Sequence, residues 1–289
     1  MSGQEIGTQI LFPLVLGTVM FGLGLALQWR DFWQVVRFPK AAAIGLAGQI
    51  ILLPLGAFVL LSLYPFPALV AGGLIILSAC PGGAVSNAIV FVARGDVALS
   101  VSLTALSSVV TIFTIPLIVG VGMAQFADVD ARLTIGVVDT LRQLGAMILA
   151  PMAAGMLVRF LWPGFAIWAE RIFRLLAIVL VLLMFVAGAF VADGVGLADV
   201  ELALLGVAGL IAIVLPLGFL LAKAGRLTQA QSMTVMVEIG VQNAATGYVV
   251  AGTLLGQPDM ILAIGIYGLL MFAAAGIAIL AARRGFQRA

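Results

Sequence analysis

The sequence predicts an all-α membrane protein: nine transmembrane helices in an inverted-topology repeat, the third and eighth broken near their middles and crossed. Three observations predict it. Hydrophobic residues make up 64% of the 289 and charged residues 9%, with a mean hydropathy of +1.27. A soluble domain carries about 25% charged residues and needs them to cover its surface. The apolar residues run continuously over about 20 positions at a time, the length that crosses a bilayer as a helix, and not in the alternation of a membrane barrel. Two of those runs are apolar at both ends and polar in the middle.

The runs place spans near 8–28, 41–62, 67–94, 96–123, 135–160, 170–192, 199–222, 228–254 and 259–282. "MSGQEIGTQILFPLVLG" leads straight into the first; it lacks the basic start and small-residue cleavage site of a secretory leader, so it reads as a span. The second carries Gln49 and Pro54, while Pro116, Pro151 and Pro216 lie inside later spans, where neighbouring helices tolerate them. The third is interrupted by Pro81, Gly82 and Gly83, followed at once by Ser86 and Asn87. The fourth follows a Gly95-Asp96 turn and sets Ser100 and Thr104 at i and i+4, on one face. The eighth reads "MTVMVEIGVQNAATG", with Gly240 as its weak point. Of the 12 acidic residues, Glu238 alone falls near the centre of a span, where a charge is costly and usually functional.

Charge distribution orients the chain. With nine spans, alternate connections collect all of the 14 basic residues except Arg132 and Arg142. The other side holds Asp128, Asp130, Asp193, Asp199, Glu201 and Asp259. Basic connections face the cytoplasm, so the N-terminus is expected outside and the C-terminus inside, in the inner membrane of a bacterium.

The chain also resembles itself. "ILLPLGAFVLL" (51–61) matches "IVLPLGFLLA" (213–222), and "VSNA" (85–88) matches "VQNA" (241–244), each pair five spans apart. An odd displacement inverts the second copy in the membrane, an arrangement common in secondary transporters. The copies are expected over 1–126 and 127–289, the first lacking its opening helix of five.

Composition excludes much chemistry. The absence of histidine removes serine triads, histidine-ligated metals and histidine relays. The single cysteine, Cys80, excludes an intrachain disulfide. An intramembrane enzyme would need paired aspartates, an activated nucleophile or a metal site. A receptor or structural bundle would have no use for two matched polar breaks. A break at mid-bilayer leaves backbone groups that lipid cannot satisfy, and half-helix carbonyl ends suit a cation while amide ends suit an anion. Glu238, Ser86, Asn87 and Gln242, with the freed carbonyls, form a set of hard oxygen ligands. Glu238 could equally carry a proton, so a proton-coupled carrier stays open.

The residues "FGLGLAL", "GQIILLP", "CPGGAVSN", "GDVALSVSLT" and "VEIGVQN", spread along essentially the whole chain, resemble the bile acid:sodium symporter family. The resemblance implies a sodium-coupled symporter of an organic anion, with two crossed, broken helices and two coupling sodium ions. It implies one ion at Ser86, Asn87, Ser100, Thr104 and Glu238, and a second at Gln49, Glu238, Gln242 and the carbonyls of Ile239 and Val241. The anion is expected at the crossing, near Gly83, Ala84, Asn87, Asn243 and Ala244, its carboxylate on the amides that open the second half-helices. Many bacterial members carry threonine where this chain has Ala84, so bile acids, pantoate, keto acids and sulfated steroids all remain open. No organic cofactor, nucleic acid or obligate protein partner is expected. Alternating access is expected from spans three to five with eight and nine, rocking against spans one, two, six and seven.

Overall fold

The computed structural model describes residues 3–127, 137–191 and 196–286. Among these residues every regular element is helical. Six helices are long and apolar enough to cross a membrane: α1 (Gly7–Ala26), α3 (Pro39–Leu63), α6 (Val97–Phe126), α7 (Val138–Leu161), α9 (Leu197–Ala224) and α12 (Pro258–Ile277). Helix α8 (Pro163–Val191) is of similar length. Two pairs of shorter helices complete the bundle: α4 (Ala68–Ala79) with α5 (Ala84–Val92), and α10 (Gln229–Gly240) with α11 (Ala244–Leu254). The breaks thus lie inside the expected spans 67–94 and 228–254. The expected boundaries at 135 and 192 fall outside the described residues.

Two helical segments depart from expectation. Residues read as a connection form α2 (Trp29–Arg37). Its Asp31 carboxylate accepts from the Gln28 N–H at 2.7 Å and caps the first turn, where an acid also suits the helix dipole. Trp29 and Trp33, at i and i+4, are 67% and 74% exposed, while Phe32 and Val35 pack inward. That division suits a helix lying at the membrane–water boundary. Helix α8 starts at Pro163, seven residues before the expected 170, because proline is already set for the first helical position. Glu170 and Arg174, at the expected start of that span, form an ion pair one turn apart on the helix, at 3.1 Å.

Three prolines share one local device. In "GTQILFP", "GQIILLP" and "GAMILAP", a π-turn spans Gly7–Leu11, Gly48–Leu52 and Gly145–Leu149 respectively, just ahead of Pro13, Pro54 and Pro151. In each, the residue before the proline donates its N–H to the carbonyl of the leading glycine. Proline has no N–H for the carbonyl four residues back and its ring collides with it. Widening the preceding turn relieves the collision without ending the helix.

The packing corrects the expected division into bundles. Helix α1 packs chiefly against α7 and α8, whereas α3 and α9 pack with α4, α6, α10 and α12. The second and seventh spans therefore belong with the broken helices, and the fifth belongs with the first and sixth. Backbone contact explains why α1 chooses α7. A Cβ built on Gly24 would stand 2.1 Å from the Met152 carbonyl oxygen, and one on Gly155 would stand 2.3 Å from that of Phe21. Small residues let membrane helices approach to this distance.

Candidate functional site

The site grows from the two breaks. Helix α4 must stop at Cys80, since Pro81 disfavours helical geometry in the residue before it. Cys80 accordingly turns extended, at φ −70° and ψ 153°. Helix α10 has no proline to stop it. It ends because the carbonyl of Gly240 accepts a 2.7 Å hydrogen bond from the buried Tyr267 hydroxyl, and Val241 is extended, at φ −128° and ψ 99°. A side chain at Gly240 would run into Leu215, since its Cβ would lie 2.1 Å from the Leu215 Cδ2.

The two extended stretches satisfy each other. Gly82 and Gln242 form an antiparallel bridge, and the Asn243 N–H donates to the Pro81 carbonyl at 2.8 Å. This pairing corrects the expected match of "VSNA" with "VQNA". Gly82, Gly83 and Ala84 occupy the places of Gln242, Asn243 and Ala244. Asn243 caps its half-helix, its side-chain oxygen accepting from the Thr246 N–H at 3.3 Å. Asn87 sits a full turn inside the other half-helix.

Around Glu238, which is fully buried, the structure brings together Ser86, Asn87, Ser100 and Thr104. One carboxylate oxygen accepts from Ser86 at 2.7 Å and from Ser100 at 2.5 Å, and the other accepts from Thr104 at 3.0 Å. The Asn87 side-chain oxygen lies 2.7 Å from the Ser100 hydroxyl and 3.4 Å from that of Thr104. Ser86 is also 2.7 Å from the Gly83 carbonyl and 3.4 Å from the Thr104 hydroxyl. Three hydroxyl protons face seven such contacts, so lone pairs outnumber the protons that could occupy them. An oxygen cluster short of protons has the character of a cation site.

A second polar group adjoins the first. Gln49 donates to the Gln242 side-chain oxygen at 3.1 Å, and Gln242 donates to the carbonyls of Ile239 at 2.7 Å and Glu238 at 3.3 Å. The Gln49 oxygen is buried and unpartnered among the described residues. Gln49 lies in the π-turn ahead of Pro54, so a backbone irregularity aims it. Val241 lies buried in the extended stretch beside them. Of the residues expected around the anion, Gly83 and Asn243 face each other, a Cβ on Gly83 coming 3.5 Å from the Asn243 Cα. The Asn243 amide nitrogen and the Thr246 hydroxyl are buried and unpartnered among the described residues. Ala84 and Ala244 open the two half-helices. Asn87 instead turns its oxygen to the Glu238 cluster.

Two residues were missed in the sequence. Gly82 joins the polar groups: a Cβ there would meet a Glu238 carboxylate oxygen at 2.7 Å, with Gln49 at 3.5 Å and Thr104 at 3.7 Å. Thr234 clamps α10 to α6. Its hydroxyl accepts from the Asp96 N–H at 2.8 Å and approaches the Asp96 carbonyl at 3.2 Å. Thr234 lies one turn before Glu238 and Asp96 one turn before Ser100, so the clamp sets the register of the Ser100–Glu238 contact. The i, i+4 spacing was the available signal.

Comparisons with known proteins give the family. A family model described as "Sodium Bile acid symporter family" matches residues 13–196. The chain is similar to the probable sodium/metabolite cotransporter BASS2, chloroplastic, of Oryza sativa subsp. japonica, at 31% identity over 83% of this chain and 56% of that protein. It is 30% identical to the uncharacterized sodium-dependent transporter YocS of Bacillus subtilis, over 82% of this chain and 72% of that one. To the sodium-dependent organic anion transporter of Rattus norvegicus it is 31% identical, over 81% of this chain and 62% of that protein. The chain thus spans less than two thirds of the length of the rice and rat relatives.

Proposed function

The chain belongs to the sodium bile acid symporter family, and on that premise we propose that it is a secondary transporter carrying an organic anion with sodium by alternating access. The observation that supports this best is the buried, proton-poor oxygen cluster on Glu238 at the junction of two broken helices. One sodium ion is held by Ser86, Asn87, Ser100, Thr104 and Glu238. A second is held by Gln49, Gln242 and Glu238 with the carbonyls of Ile239 and Val241, where the Gln49 oxygen already lacks a donor. Glu238 serves both ions, and its one charge offsets the repulsion between two cations in a low-dielectric site. The anion sits at the crossing, on the amide ends of α5 and α11, with Gly83, Ala84, Asn87, Asn243 and Ala244 around it and the unpaired Asn243 amide as a donor. A small carboxylate or a bile-acid-like anion fits that donor set. The names of the relatives, a sodium/metabolite cotransporter and a sodium-dependent organic anion transporter, agree with this class of cargo.

Nine spans follow when α4 with α5 and α10 with α11 are each counted as one broken crossing. The halves 1–126 and 127–289 are inverted copies, the N-terminus is outside, and the C-terminus lies in the cytoplasm of a bacterial cell. Helices α1, α7 and α8 move as one body against the rest. The test is thermal stability of the purified protein in sodium, potassium or choline salts. Sodium alone should raise the melting temperature, by the equivalent of about 2.7 kcal/mol at a hundredfold excess over its dissociation constant. Identical melting in all three salts, with uptake driven by a pH gradient, would replace sodium by the proton.

A further inference from the structure

Away from the crossing, α9, α10 and α12 line an open cavity of about 760 Å³. Its walls include Leu215 and Pro216 of α9, Met233 and Met236 of α10, and Leu270 and Ala274 of α12. Of its described lining residues, only Gln229 is polar. The lining Ile277 and the adjacent Leu220 and Phe272 are exposed, as side chains facing lipid are. Along α9 the lining runs from Ala208 to Phe219. At 1.5 Å per residue that is about 17 Å, half of a hydrocarbon core of about 30 Å. The cavity is therefore about one leaflet deep.

A positive charge stands beside one end of it. The Lys223 ammonium lies 5.5 Å from the centre of the Phe219 ring and donates to the Gln229 side-chain oxygen. Both partners line the cavity. A lysine at a helix end can snorkel toward water; this exposed one also makes a cation–π contact and a hydrogen bond to residues of the cavity wall. Arg226 stands exposed three residues on. An apolar slot one leaflet deep, with an ammonium beside its end, matches a molecule with an acyl chain and an anionic head.

We propose that this cavity binds one acyl chain of an anionic phospholipid, with the headgroup phosphate held at Lys223. The occupied slot backs directly onto α10: Met236 lies two residues before Glu238, and Leu215 packs on Gly240.

Native mass spectrometry of the full-length protein in neutral detergent tests this. Phosphatidylglycerol and phosphatidylcholine with identical chains are titrated in, with glycerol phosphate as a chainless control. Phosphatidylglycerol should be retained about fivefold more tightly than phosphatidylcholine, the preference one basic residue confers near an anionic lipid, and glycerol phosphate should not be retained. Lys223→Gln should bring phosphatidylglycerol down to the level of phosphatidylcholine. Ala212→Trp and Ala273→Phe fill the slot from different helices, and either one, if its melting temperature in detergent alone is unchanged, should lose both lipids. Equal retention of the two lipids by the wild type would overturn the proposal, as would indifference to Lys223→Gln or to both fillings. A dimer that the fillings dissociate would show that a second copy of the chain covers the slot instead.

Discussion

Glu238 receives three hydroxyls and supplies the one carboxylate of the oxygen cluster. Glu238→Gln keeps the shape and one carbonyl oxygen but leaves two cations without a counter-charge at low dielectric. It should abolish sodium-driven uptake and sodium-induced stabilisation while the protein still folds. Ser100→Ala and Thr104→Ala each remove a neutral ligand, a loss of about 1 kcal/mol. Both should raise the sodium needed for half-maximal uptake and recover at high sodium. Normal uptake by Glu238→Gln at ordinary sodium would make the carboxylate structural. The two adjacent glycines separate steric roles. Gly82→Ala would place a methyl 2.7 Å from a Glu238 oxygen and should abolish sodium stabilisation. Gly83→Ala would make only ordinary contact, 3.5 Å from the Asn243 Cα, and should retain it. Loss of the sodium shift in both variants would mean that Gly82 has no special place beside the ions.

Helices α6 and α10 meet through Thr234 and the backbone of Asp96. Thr234→Val keeps the volume and removes the hydrogen bonds, so α6 is free to slide against α10. The expected result is a higher half-saturating sodium concentration, restored by Thr234→Ser. A merely structural contact would instead lower the sodium-free melting temperature and leave the sodium dependence unchanged. The same scale holds the three glycine-to-proline π-turns. Their common spacing was present in the sequence, but a helix reads as apolar whether its turns close on the fourth or the fifth residue.

The molecule divides where α1, α7 and α8 meet the remaining helices. Gly155→Val forces a side chain into the α1 backbone, which Gly155 approaches within Cβ distances of 2.3–2.9 Å. Overpacking of this kind costs about 1–3 kcal/mol. Melting should fall accordingly, with the sodium shift intact, since the contact is remote from Glu238; an unchanged melting temperature would mean that the two helices separate easily. The orientation is a property of the whole chain. Cysteines at Trp33 and Arg226 should react with an impermeant reagent only from the cytoplasmic face, and one at Tyr64 only from outside. Labelling of all three from one face would show that the spans are miscounted.

Composition and run length determined that this is a helical membrane protein, because the bilayer forces apolar length and internal hydrogen bonding on any span. The breaks, the lone Glu238, and Ser100 with Thr104 one turn apart were legible for the same reason, as polar or helix-breaking residues in lipid need a use. Division of the oxygens into two ion sites rested on family resemblance. Tertiary structure alone decided the rest. The register of the crossing follows from the Gly82–Gln242 bridge, a contact between residues 160 positions apart, and it moved Asn87 a full turn from the place that local similarity assigned. The grouping of α3 and α9 with the broken helices, and the choice of α7 by α1, depend on which glycine faces which backbone. In a chain apolar on nearly every helix face, periodicity cannot say which face meets protein and which meets lipid. Shape complementarity makes that choice, and it exists only once the helices have packed.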